Sequence, residues 1–144
     1  MDNTKNVPAE PVKLTPKQIQ WFSDCIIVTC TEGGFYTKED YKSWSKYKHS
    51  GEHGRAEVTI EPNEECDYAH SDGEALIEIR VTPEWLATRF SQELIKLLEG
   101  KSKIPACYIG DLAKGLAGDE DYIPDVVEAG AMLQIAVYGE VIYG

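Results

Sequence analysis

Apolar residues recur at two different periods along this chain, and the change of period divides it. Ile19, Phe22, Cys25, Ile26 and Cys30 recur at helical spacing, which matches one face of an α-helix. Thr15 is a good N-cap, Pro16 suits the first helical position, and Gln18 completes a capping-box pattern. Ile27 and Val28 add to the stripe and predict burial around much of the circumference. Gly33 or Gly34 is expected to close the helix in the left-handed conformation. A strand over residues 25–31 is the competing reading, and the strong start signal favours the helix.

From Phe35 to Arg80 the period shortens. Tyr41, Trp44 and Tyr47 are interleaved with polar residues, Ala56, Val58 and Ile60 alternate with them, and Leu76, Ile77, Ile79 and Val81 follow. Two or three antiparallel strands are predicted, with the acidic, turn-rich connector "NEECDYAHSDGE" between the last two. The helical period then returns. Thr82 and Pro83 open a helix whose buried stripe is Leu86, Phe90, Leu94, Leu97 and Leu98, and Gly100 stops it. A short helix is expected around Gly110 to Leu116. A last one, largely apolar, begins near Pro124 and ends at Gly139. Its small residues Ala129, Gly130, Ala131 and Ala136 permit close packing of another element or of a second subunit. A short strand, "EVIYG", follows. The predicted fold is α+β, a small antiparallel sheet packed with about three helices. Residues 1–14, polar and with two prolines, read as a flexible N-terminal arm, and residues 15–144 as one domain.

Composition narrows the function classes. The chain has 144 residues, with 14 Lys and Arg against 25 Asp and Glu, a formal charge of −11. That field disfavours direct binding of DNA or RNA polymers and permits basic partners. Four cysteines, Cys25, Cys30, Cys66 and Cys107, form no CxxC pair and read as reduced, buried thiols of a cytoplasmic protein. The polar start lacks the apolar core of a signal peptide, and no run approaches the length of a membrane span.

Candidate chemistry is sparse. His49, His53, Cys66 and His70 are zinc-ligand types in His-x3-His and Cys-x3-His spacing, but neither pair forms a short cysteine knuckle. Exposed loop histidines and one buried thiol are expected, with no metal and no cofactor. No phosphate loop, dinucleotide fingerprint or nucleophile elbow is present. "GDEDYIPD" lacks calcium-loop spacing; its Asp121 and Asp125 suit the positive end of the last helix. Glu32 could serve as a general base, with the histidines, in a small hydrolase. One region runs against the overall charge: Lys38, Lys42, Lys46, Lys48 and Arg55 alternate with Tyr36, Tyr41, Trp44 and Tyr47. Aromatic faces stack bases and cations meet phosphates. The same pattern also describes a two-faced strand with aromatics in the core and lysines in water, and the sequence leaves both readings open.

Two segments resemble a widespread family of small phage and prophage proteins, which pair "T-A-x-E-G-G" and a nearby Tyr-Trp with a C-terminal "Q-x-x-x-F-G-E-x-x-Y-G". Thr29, Glu32, Gly33 and Gly34 match the first motif, and Gln134, Gly139, Glu140, Tyr143 and Gly144 the second. "RVTPEWLATRF" resembles the family's central strand-to-helix passage, so the likeness spans most of residues 15–144. The chain departs from the pattern where Tyr36 comes early, where Trp44 is displaced, and where Tyr138 stands in place of Phe. Small phage proteins of this look include counter-defence factors, among them sponges of the anti-CBASS and anti-Thoeris type. The resemblance thus implies a homo-oligomer in the bacterial host cytoplasm that sequesters a cyclic dinucleotide or ADP-ribose derivative without cleaving it. Thr29, Glu32 and Gly33 at the helix end are the expected ligand contacts, with Tyr36, Lys42, Trp44, Tyr47 and Lys48 in the patch and Tyr138 and Tyr143 near the C-terminus. The two motifs are expected to meet in space. The rival expectation, from charge alone, is an acidic nucleic-acid mimic that inhibits a CRISPR or restriction nuclease.

Overall fold

Thr15 starts the first helix as its type and spacing dictate. Its Oγ1 accepts from the Gln18 N–H, and the Gln18 side chain accepts from the Thr15 N–H at 2.9 Å. The computed structural model describes residues 13–33, 41–49, 54–63, 78–101, 103–119, 121 and 123–141. Residues 1–12 of the expected arm lie outside these, while Leu14 packs against the core. The first helical run is not α throughout. Pro16–Trp21 (α1) is α-helical, Phe22–Val28 is π-helical, and Thr29–Glu32 (α2) returns to α. Thr29 Oγ1 donates to the Asp24 carbonyl, five residues back, at 2.8 Å, the offset of a π turn. The π segment buries Phe22, Ser23, Cys25, Ile26 and Ile27, which accounts for the nearly continuous apolar run. The competing strand does not form.

Gly33 ends this run, and of the two glycines expected to supply a left-handed residue it is one that does not. Its φ is −83°. Glycine is required there by close approach: an added Cβ would stand 2.4 Å from the Thr29 carbonyl oxygen and 3.1 Å from Val126 Cγ2. Gly34 lies outside the described residues.

Three antiparallel strands follow in the order β1-β2-β3: Tyr41–His49 (β1), Ala56–Pro62 (β2) and Ile79–Val81 (β3). Leu76 and Ile77, expected in the third strand, lie outside the described residues. Ala56, Val58 and Ile60 point into the core with Ile79 and Val81, as period-two alternation requires. The register of β1 against β2 slips between Tyr41 and Ser43 and again between Ser45 and Lys48. Lys46 adopts φ 56° in the second irregularity. Each slip admits one extra residue, so side chains three apart return to the same face. Tyr41, Trp44 and Tyr47 thereby share the core face with Pro62, Ile60 and Val58.

The helices cover that face. Thr82 Oγ1 accepts from the Trp85 N–H and opens Pro83–Leu98 (α3), which buries Leu86, Ala87 and Phe90. Leu98, assigned to the buried stripe, is instead 87 % exposed, because the last turn runs past the core. A 3-10 turn, Ala106–Tyr108, leads into Ile109–Ala117 (α4), where Gly115 lets the Trp21 ring approach: an added Cβ would meet it at 2.7 Å. Asp125 and Glu128 form a capping box that opens Val126–Tyr138 (α5), and Gly139, at φ 79°, closes it. From Ala129 to Tyr138 every residue of α5 is buried. Its small residues therefore pack against the chain's own elements. The result is an α+β fold with one core cluster and four helical runs among the described residues, against about three expected. None of these helices is long and apolar enough to cross a membrane. Cys25 and Cys30 are buried as expected, but Cys107 is exposed.

Candidate functional site

The C-terminal half of the first helical run and the core face of β1 meet in a polar seam. Trp44 Nε1 donates to Thr31 Oγ1 at 3.3 Å, and the Tyr47 hydroxyl donates to Glu32 Oε2 at 2.6 Å. Farther along, His49 Nε2 lies 3.8 Å from Asp24 Oδ1. The Ala56 N–H donates to the buried Ser23 Oγ at 3.0 Å, which ties β2 to the π segment. Residues 44, 47 and 49 of the strand thus meet residues 31, 32 and 24 of the helical run.

Burial pushes the Tyr47 phenol above its ordinary range, and the hydrogen bond to Glu32 adds to the shift. The phenol thus stays the donor of that bond. Burial likewise pushes the Cys25 thiol up to about 11, with Asp24 beside it contributing. Such a thiol is a poor nucleophile.

An aromatic ladder extends the seam toward the C-terminal motif. Trp44 stands edge-on to Tyr41, with ring centroids 5.4 Å apart, and Tyr41 stacks on Tyr138 at 5.7 Å and 11°. Tyr138 is fully buried, and its hydroxyl accepts from the Asn63 N–H at 3.2 Å. The ladder links Thr31 to Tyr138, so the described parts of the two motifs are connected through β1. The final strand beyond Val141 lies outside the described residues.

The nominated residues divide by where they fall. Glu32, Trp44 and Tyr47 come together in the seam, with Gly33 at its end. Thr29 turns its hydroxyl onto the helix backbone, and Tyr138 is enclosed in the core. Tyr36 and Tyr143 lie outside the described residues. Lys42 and Lys48 are on the far side of β1: Lys42 Nζ is 3.6 Å from Glu61, and Lys48 is paired across the ladder with Glu57. The basic-aromatic patch is therefore split by the sheet, aromatics toward the helix and these lysines toward solvent. Sequence reasoning missed Thr31, Asp24 and the His49 pairing. Thr31 carried a signal all the same, since it belongs to the same short stretch as Glu32 and Gly33.

Arg80 is on the solvent face, forked onto Glu57 at 2.8 and 2.9 Å, and holds that carboxyl below the usual range. Arg89 turns inward. It donates to the Ala136 carbonyl, to Gln92 and to Glu93, which is 1 % exposed and also accepts from Lys96. This charged cluster ties α3 to α5.

Of the zinc-type residues, His49 is exposed beside Asp24, and His53, Cys66 and His70 lie outside the described residues. Among the described residues no three His, Cys, Asp or Glu side chains group as a metal site. Comparison with protein-family models, with curated proteins and with solved structures finds no match to this chain.

Proposed function

We propose that this chain is a binding protein that sequesters a small nucleotide at the helix–strand seam and does not cleave it. One observation carries the reading. Trp44 and Tyr47 are half-buried, and each is pinned by its polar atom to the helix, to Thr31 and Glu32. Fixed aromatic faces of that kind stack a base at little entropic cost. The carboxylates of the seam favour the base side of the ligand over its phosphates, so the phosphates are directed outward to solvent. Cyclic dinucleotides and ADP-ribose derivatives are the ligands to try, as the phage-family resemblance suggests. A thermal-shift panel of both classes tests the proposal, because a ligand that binds only the native state raises the Tm. The expected result is a shift with at least one of them and recovery of that ligand intact after heating. No shift across the panel removes the reading, and an altered ligand turns it toward the hydrolase.

The formal charge of −11 supports a second reading, an acidic protein that occupies the nucleic-acid channel of a defence nuclease. It predicts a complex with a basic nuclease that high salt dissolves. A pull-down at low and high salt decides it, and no captured nuclease removes it.

A further inference from the structure

We infer that two unlike surface patches, the end of α3 and the start of α5, form a contact between copies of this chain, the first patch of one copy seated on the second patch of another. The contact does not depend on what the seam binds, and it stands or falls apart from that reading. Among the described residues, the large apolar side chains left in water are Ile95, Leu98, Ile123 and Val127. They fall into two pairs. Ile95 and Leu98 are three apart on the last turns of α3 and share a helix face. Ile123, 74 % exposed, precedes the N-cap Asp125 by two residues, and Val127 is in the first turn of α5.

The charges around the two pairs have opposite sign. Residues 94–103 carry Lys96, Lys101 and Lys103 against Glu99, a net charge of +2 in a chain of −11. Lys96 is engaged by the buried Glu93. Lys101 is exposed, and the well-solvated Lys103 stands 3.9 Å from Glu140. A surface pair at that distance is held only weakly, so both lysines can face a new partner. Residues 119–128 carry five carboxylates and no cation, a charge of −5. The capping box accounts for Asp125 and Glu128. It accounts neither for Asp121 nor for the exposure of Ile123 and Val127. An apolar pair among cations and an apolar pair among carboxylates complement each other. The apolar side chains leave water together, and the opposite charges set which surfaces meet. Pairing like patches would set cation against cation or carboxylate against carboxylate. On a two-fold axis the contact forms twice, so each patch is used in both copies.

Sedimentation equilibrium of the full chain and of two charge-reversed variants tests this. One variant carries Lys101→Glu and Lys103→Glu. The other carries Asp119→Lys, Glu120→Lys and Asp121→Lys. Far-UV circular dichroism matched to the parent shows that each folds. The parent is expected to associate, with a dissociation constant that rises at least about tenfold between about 50 mM and about 0.5 M salt. Each variant alone is expected to be monomeric at concentrations where the parent is associated. An equimolar mixture of the two is expected to associate again, because each reversed patch then meets its opposite. A variant that associates alone as tightly as the parent overturns the inference, since a contact between like patches would then hold the copies together. A mixture that stays monomeric overturns it, and so does a parent chain that is monomeric at every concentration. Where a reversal fails to fold, the salt series on the parent decides: association that salt leaves unchanged overturns the pairing of opposite charges.

Discussion

At the scale of single residues, protonation and sterics explain positions that a motif would assign to ligand contact. Gly33 belongs to the N-terminal motif, yet its identity follows from the Thr29 carbonyl 2.4 Å from any added Cβ. That neighbour is backbone and cannot turn aside. Gly33→Ala is expected to destabilise the fold by about 1–3 kcal/mol, read as a lower denaturation midpoint. A variant of unchanged stability would show that this close approach does not dictate the glycine. Tyr47 and Cys25 make a pH prediction. Both groups have their folded pKa raised, so folding favours their protonated forms. Their contribution is complete below the unfolded pKa and is lost as pH rises through the folded one. For Cys25 the window runs from 9.0 to about 11; for Tyr47 it opens at its ordinary 10.0 and extends upward. Urea midpoints measured across alkaline pH should fall in that range, and Cys25→Ala should flatten the first part of the decline. A decline equally steep in Cys25→Ala would assign it to other groups.

At the scale of elements, the starts were legible and the irregularities were not. Thr15, Thr82 and Asp125 each announce a helix through a side chain able to accept a backbone N–H, and each does so. The π segment has no such signature, because a widened turn is set by what the helix packs on. The strand β1 shows the reverse problem. Its aromatics are spaced by three, which is foreign to a regular strand, and two register slips reconcile that spacing with one buried face. The faces of Lys42 and Lys48 could not be assigned without that register. Glu93 escaped for a related reason: a carboxylate within a buried stripe looks like a surface residue until Arg89 and Lys96 are seen to close on it. The slip at Lys46 is testable. Its φ of 56° places an L-residue in the left-handed region, where a β-branched side chain is most strained. Lys46→Val is expected to cost about 1–2 kcal/mol, and Lys46→Gly to match or exceed the parent. The same ranking should appear in thermal melts; equal melts for the two variants would mean that the irregularity relaxes in solution.

At the scale of the whole molecule, the small residues of α5 no longer argue for a second subunit. They are enclosed by the chain's own helices and sheet. If the protein self-associates, as a sponge with sites between subunits requires, the apolar surface exposed among the described residues is the first place to look for the contact. Ile95 and Leu98 are 54 % and 87 % exposed on the last turns of α3, and Ile123 and Val127 are exposed around the start of α5. Residues three apart share a helix face, so Ile95 and Leu98 form one patch. In a two-fold dimer the same patch is used twice. Covering a leucine side chain contributes about 1.5–3 kcal/mol, and each dimer would gain that from Leu98 on both chains. Size-exclusion chromatography with light scattering over a range of concentrations decides the matter. The expected result is a dimer or larger species for the parent chain and a monomer for Leu98→Glu, with the same far-UV circular dichroism in both. Val127→Glu in parallel separates the two patches: dissociation by that variant alone would move the contact to α5. A parent chain that stays monomeric at every concentration would restrict the site to one copy, and the seam would then have to enclose its ligand unaided.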